Sequence, residues 1–211
     1  MSTLALLHTS AVHVPVFDAL RDEDHPGLEL RHLVYEELLG RARESGPAAV
    51  AAATRDVIAR AREEGVTAVL CTCSSIGAVA EAAGAELGVP VLRSDRPMAA
   101  AAVAHGPDIV VLATVESTVG PTTELIREEA AAAGREISVR TVVADRAWPH
   151  FEKGDLEGYY RVVAEELEAI VEGDVIVLAQ GSMAPAAQYV ASSVPVLSSP
   201  RLGLAAAASL V

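Results

Sequence analysis

Apolar residues in this 211-residue chain fall into runs of two lengths. Short, nearly continuous aliphatic runs occupy Thr3–His8 (TLALLH), Leu28–Tyr35, Thr67–Thr72 and Pro90–Leu92. They recur at Ile109–Thr114 (IVVLAT), Ile137–Val143, Val175–Ala179 and Pro195–Leu197. Runs of this length without polar alternation predict strands covered on both faces. Longer stretches with helical spacing lie between them. Pro47–Glu64 has proline in its first turn, apolar Val50, Val57 and Ile58, and Gly65 as a stop. Ile76–Leu87 ends at Gly88, and Pro121–Ala133 and Leu156–Val171 complete the set. The alternation predicts an α/β fold of parallel sheets joined by crossover helices.

The second half repeats the first. Residues 68–78 (AVLCTCSSIGA) align without a gap on 175–185 (VIVLAQGSMAP), an offset of 107. VPVLRS at 89–94 matches VPVLSS at 194–199, and Leu4–Thr9 overlays Ile109–Thr114, both at an offset of 105. Three matches in one order, at nearly constant spacing, point to a duplicated unit. The expected architecture is two pseudo-symmetric lobes, each a short parallel sheet flanked by helices, with a cleft between them. Residues 1–95 with 192–211 would form the N-terminal lobe and 96–191 the C-terminal lobe. The last strand and helix would return to the first.

Parallel sheets bind ligands beyond the carboxyl ends of their strands, where helix starts offer free N–H groups. Here those ends carry His8, Thr9 and Ser10; Cys73, Ser74 and Ser75; Thr114, Ser117 and Thr118; and Gln180, Gly181 and Ser182. Small hydroxyl residues and glycine suit a carboxylate, although each Ser or Thr also serves as an ordinary helix cap. Arg96 and Arg201 occupy equivalent repeat positions and could grip a carboxylate; a surface or lobe-bridging ion pair is the favoured reading. His8, at a strand end, could orient a substrate or share a proton with Cys73; a satisfied histidine packed at a strand end is an equal reading. The segment 145–155 (DRAWPHFEKGD) has a loop-like composition that suits a cover over the site.

The two cysteines, Cys71 and Cys73, differ in setting. Cys71 falls inside a strand and is expected to pack as a small apolar residue. Cys73 follows the strand at a helix start, where local dipoles favour a thiolate. Two thiols do not make a structural zinc site, and the six histidines show no ligand spacing. No metal is expected. Glycine-rich dinucleotide and P-loop motifs are absent. A formal charge of −13, with no basic run, excludes a nucleic-acid role. Aromatic residues are 3% of the chain, so the core must be aliphatic. Neither a cationic signal region nor an apolar span of membrane length is present, so the expectation is a cytoplasmic protein without a membrane partner. Ala-rich helices favour a homo-oligomer.

A duplicated α/β chain whose strand-end motif reads VTAVLCTCSSIG resembles the aspartate/glutamate racemase superfamily, which includes hydantoin racemases, maleate isomerases and arylmalonate decarboxylases. The family's strand-Cys-Asn-Thr motif falls on Cys73-Ser74-Ser75. Its second cysteine falls on Gln180, the same partner that the internal repeat gives Cys73. The resemblance therefore implies a cofactor-independent enzyme acting on a small carboxylic acid through a single cysteine. Cys73 would be acid, base or nucleophile, and Gln180 a hydrogen-bond donor at the catalytic centre. Thr9, Ser10, Ser74, Ser75, Thr114, Ser117, Thr118, Gly181, Ser182 and His8 would bind substrate. Racemisation, cis-trans isomerisation and decarboxylation all remain open. The alternative is a non-catalytic carboxylate-binding or regulatory protein that has lost one thiol.

Overall fold

The computed structural model describes residues 3–211. Two compact units divide the chain: residues 1–95 with 200–211, and residues 96–199. In the first, β1 (Thr3–His8), β2 (Glu29–Val34), β3 (Ala68–Cys71) and β4 (Val91–Arg93) form a parallel sheet of order β2-β1-β3-β4. Helices α1 (His13–Asp24), α2 (Glu36–Ser45), α3 (Ala51–Glu63) and α4 (Gly77–Leu87) alternate with these strands. The second unit opens with α5 (Arg96–His105). Its strands are β5 (Asp108–Ala113), β6 (Ser138–Val143), β7 (Val175–Leu178) and β8 (Val196–Leu197), in the order β6-β5-β7-β8. Helices α6 (Val119–Ala132), α7 (Trp148–Glu152) and α8 (Leu156–Ala169) complete it, and α9 (Ser199–Ala208) closes the chain.

The repeat holds strand by strand. Leu4 pairs with Ala68 in the first sheet, and their repeat-mates Ile109 and Val175 pair in the second. Chain return to the first unit begins at Pro200 rather than at 192, because β8 is hydrogen-bonded to β7 and so belongs to the second sheet.

Burial follows strand position. β3 and β7 are buried at every residue, and β1 and β5 at all but the first, whereas the edge strands β2 and β6 have no buried residue. The pleat sends alternate residues of β1 and β3 to opposite faces. Ala5, Leu7, Val69 and Cys71 pack with Val57 and Ile58 of α3 and Ala80 of α4. Leu4, Leu6, Ala68 and Leu70 pack with Phe17 of α1 and with Leu204 and Ala207 of α9. In the second unit Val110, Leu112, Ile176 and Leu178 cluster with Tyr159, Val163 and Leu167 of α8.

Two segments differ from expectation. Residues 47–50 are a 3-10 turn before α3, so the helix expected from Pro47 begins at Ala51. The segment at 145–155 is not a loop: a 3-10 turn at Asp145–Ala147 leads into α7, where the Trp148 and Phe151 rings stack at 4.9 Å.

Glycines in the helices test this packing. A Cβ at Gly84 in α4 would lie 2.3 Å from Val91 Cγ2 and 2.9 Å from the Val89 carbonyl. One at Gly40, exposed in α2, would meet nothing within 4 Å. Gly84→Ala is therefore expected to destabilise by about 1–3 kcal/mol through overpacking. Gly40→Ala should stabilise by about 0.5–1 kcal/mol through helix propensity. Urea unfolding of both variants checks the opposite signs.

Candidate active site

The carboxyl ends of β1 and β3 lie side by side, Leu7 opposite Cys71. Pairing runs one step further as the Thr72 N–H donates to the Leu7 carbonyl at 3.0 Å. The chain then turns: Cys73 is extended, Ser74–Ile76 form one 3-10 turn, and α4 starts at Gly77. Cys71 is fully buried and Cys73 is half-buried, with Ser74 beside it half-buried and Ser75 buried. Burial, reinforced by the neighbouring Cys73, pushes the Cys71 thiol far above the usual range. Its Sγ donates weakly to the Cys73 carbonyl at 3.6 Å, so Cys71 supports the turn without entering it.

A hydrogen-bonded file of side chains stands behind Thr72. The Thr72 hydroxyl has one proton, which goes to the Leu7 carbonyl at 3.2 Å. Its oxygen therefore accepts from His8 Nδ1–H at 2.8 Å. In the neutral imidazole the other nitrogen is an acceptor, and His8 Nε2 accepts a hydrogen bond from His32 Nδ1–H at 2.8 Å. His32 Nε2 faces Asp18 Oδ1 at 3.3 Å. His8 is wholly buried, with both ring nitrogens engaged. These bonds tie His8, one of the residues expected to bind substrate, to Thr72, the residue that precedes Cys73. Burial, then the nearby His13 and His32, lower its pKa to about 3; burial lowers His13 to about 4. Both stay neutral at physiological pH. Thr9 is buried and Ser10 half-buried at the same strand end.

At the equivalent ends of β5 and β7 the contacts are between neutral groups. Gln180 Oε1 accepts the Thr114 N–H at 3.1 Å, and Gln180 Nε2 donates to Thr114 Oγ1 at 3.1 Å. Thr114 Oγ1 lies 3.4 Å from the Tyr159 hydroxyl, which is 2.9 Å from Ser182 Oγ. Burial raises the Tyr159 pKa, so the phenol remains protonated. Thr118 is buried and donates to the Val115 carbonyl at 2.9 Å, while Ser117 is exposed and Gly181 half-buried. The structure thus joins Gln180, Thr114 and Ser182 through Tyr159. Thr114 also borders an open cavity of about 470 Å³ walled by Glu116, Val143, Asp145 and Trp148.

Arg96 and Arg201 are ion-paired within their own units. Arg96 bonds Glu129 at 2.5 Å and Glu128 at 3.4 Å; Arg201 bonds Glu23 at 2.6 Å and also Asp24. The buried arginine is instead Arg93, paired with Asp95. Sequence reasoning missed Arg93, Asp95, Thr72, His32, Asp18 and Tyr159. For Arg93 a signal existed: the repeat matches it to Ser198, the one difference in two otherwise identical six-residue stretches.

An Asp/Glu/hydantoin racemase family model matches residues 9–207, and the chain belongs to that family. Solved structures share the fold at low identity. A glutamate racemase isoform from Bacillus anthracis is 15% identical, with a TM-score of 0.76 over 99% of this chain and 81% of its own. The aspartate racemase of Picrophilus torridus is 16% identical, with a TM-score of 0.73 over 99% and 94%. A liganded arylmalonate decarboxylase variant is 20% identical, with a TM-score of 0.61 over 100% and 92%. No curated protein sequence matches the chain. No helix among the described residues is long and apolar enough to cross a membrane.

Two measurements check this geometry. Iodoacetamide should label Cys73 and leave Cys71 untouched until the protein unfolds, read by peptide mass spectrometry. The histidines set an acid dependence. At a pH above about 6.5, His8 and His13 are neutral both folded and unfolded. Below it the unfolded chain takes up protons that the fold refuses, so stability falls as pH drops. The loss from His13 stops near 4 and that from His8 near 3. Each adds a slope of about 1.4 kcal/mol per pH unit, and His13→Gln should remove one such increment from the urea-derived slope.

Proposed function

We propose that this chain is a cofactor-independent enzyme acting at the carbon beside the carboxylate of a small acid, with Cys73 as its one proton-transferring or nucleophilic thiol. The supporting observation is the pairing of positions 73 and 180 by the internal repeat. Cys73 is half-exposed at its strand end, while Gln180 has its amide closed on Thr114. A glutamine amide neither yields nor takes a proton near neutral pH, so a thiol-to-thiol relay across two faces of the α-carbon is not available.

Three reactions fit one thiol. In decarboxylation, CO₂ leaves with the C–C bonding pair shifting onto the remaining carboxylate as an enediolate. The Cys73 S–H then protonates the carbon, and water restores the thiol. In cis-trans isomerisation, the thiolate adds to one alkene carbon, the former double bond rotates, and elimination of the thiolate restores it. In racemisation, Cys73 exchanges the α-proton on one face and a hydroxyl or water serves the other. Hydroxyls at the strand ends of the Cys73 unit, Thr9, Ser10 and Ser75, would supply neutral donors to carboxylate oxygens.

Proton NMR in D₂O decides the matter, wild type beside Cys73→Ala. The panel is both enantiomers of aspartate and glutamate, maleate, an aryl-substituted malonate and a hydantoin. Deuterium uptake, isomerisation or CO₂ loss on one compound is expected, falling at least about 100-fold in Cys73→Ala. Equal turnover in the variant would end the proposal. Silence on every compound, with one of them raising the melting temperature, would instead support a carboxylate-binding protein on the same scaffold.

A further inference from the structure

Arg93 is the last residue of β4, directly opposite Cys71 in the register. Arg93 and Asp95 are each 3% exposed, an uncommon depth for an ion pair. The guanidinium grips Asp95 in a bidentate fork, Nε to Oδ1 at 2.7 Å and Nη2 to Oδ2 at 2.9 Å. Nη2 also reaches the Ser74 carbonyl at 3.3 Å, and the Arg93 backbone N–H donates to Glu81 Oε1 of α4 at 3.3 Å. The side chain lies over Gly77: a Cβ there would be 2.7 Å from Nε and 3.1 Å from Cζ. Arg93 therefore touches the turn after Cys73, the first residue of α4 and a later turn of that helix.

A buried pair of this kind contributes little net stability compared with apolar residues of the same shape, since desolvating both charges offsets their attraction. Its geometric effect is specific. A peptide unit is planar and trans, so the Ser74 carbonyl and the Ser75 N–H point in opposite directions. By holding the Ser74 oxygen inward, Arg93 turns the Ser75 N–H away from itself. The Cys71 thiol acts in the same sense on the Cys73 carbonyl. Asp95 fixes the guanidinium plane, and lysine, which lacks the fork, cannot reproduce the set of contacts.

We infer that the buried Arg93–Asp95 pair is a positioning device for the Cys73 turn, setting the direction of its backbone N–H groups and through them the reactivity of the Cys73 thiol. The inference rests on the assignment of Cys73 as the reacting group, but its test needs no turnover.

Cys73 alkylation by iodoacetamide is measured by peptide mass spectrometry at neutral and alkaline pH in wild type, Arg93→Lys and the charge-free pair Arg93→Met with Asp95→Asn. Cys71, fully buried, reports the fold in the same digest. The expected result is slower Cys73 labelling at neutral pH, at least about threefold, in a variant whose Cys71 stays protected. Rates should converge at alkaline pH, where the thiolate forms regardless. Unchanged Cys73 labelling at neutral pH in a variant with protected Cys71 overturns the inference. So does a slowing that persists unchanged at alkaline pH, which would reflect access rather than thiolate. Labelling of Cys71 in both variants also overturns it, because the pair would then be required for folding itself. A wild type silent in the NMR panel would count against the proposed reaction while leaving this comparison decisive.

Discussion

The interiors of the central strands have no place for a polar side chain, and much else follows from that. β3 and β7 are buried throughout, and β1 and β5 from their second residues, so helices must cover both faces of each sheet. Polar residues on these strands are pushed to the ends, Thr3 and Asp108 at the start and His8 at the finish, and at the carboxyl ends the chain turns into a helix. His8, Thr72 and Cys73 stand at such ends in one unit, Thr114 and Gln180 in the other. The site is placed less by any single contact than by exclusion from the core.

The two units then treat the same position differently. In the first, the ends of β1 and β3 are supported by groups able to carry charge: His8 against Thr72 and His32, and Arg93 against Asp95 and Ser74. In the second, the support is neutral, an amide closed on a threonine and a phenol bonded to a serine. One duplicated backbone thus holds a thiol in an ionisable frame and a glutamine in an uncharged one. The family assignment says nothing of this difference, which lies in side chains that the repeat does not share.

The strands, the repeat and the positions of Cys71 and Cys73 were legible because each depends on local pattern. Runs such as VIVLA can be satisfied only by burial on both faces, and the constant offset carried register from one half to the other. Helices α1 and α2 were not legible. HVPVFDALRDED buries only Phe17, and EELLGRARES only Leu38 and Ala42, so their apolar stripes fall below what periodicity resolves. The polar partners were hidden for another reason. His32 lies on an edge strand, Asp18 on a helix and Tyr159 within α8, and nothing in spacing along the chain tells which neighbours they meet. Arg93 was the exception, marked by its mismatch with Ser198 inside a matched stretch.

Buried ionisable groups are unevenly placed between the two units. Every buried histidine, arginine and aspartate among the described residues belongs to the unit that carries Cys73; the buried polar residues of the other unit are threonines and one serine. The penalty for protonating a buried histidine therefore falls on one half of the duplicated chain. Two copies of one architecture thus differ in what their interiors ask of the solvent: one must keep an imidazole from taking up a proton, and the other buries hydroxyls that never need to.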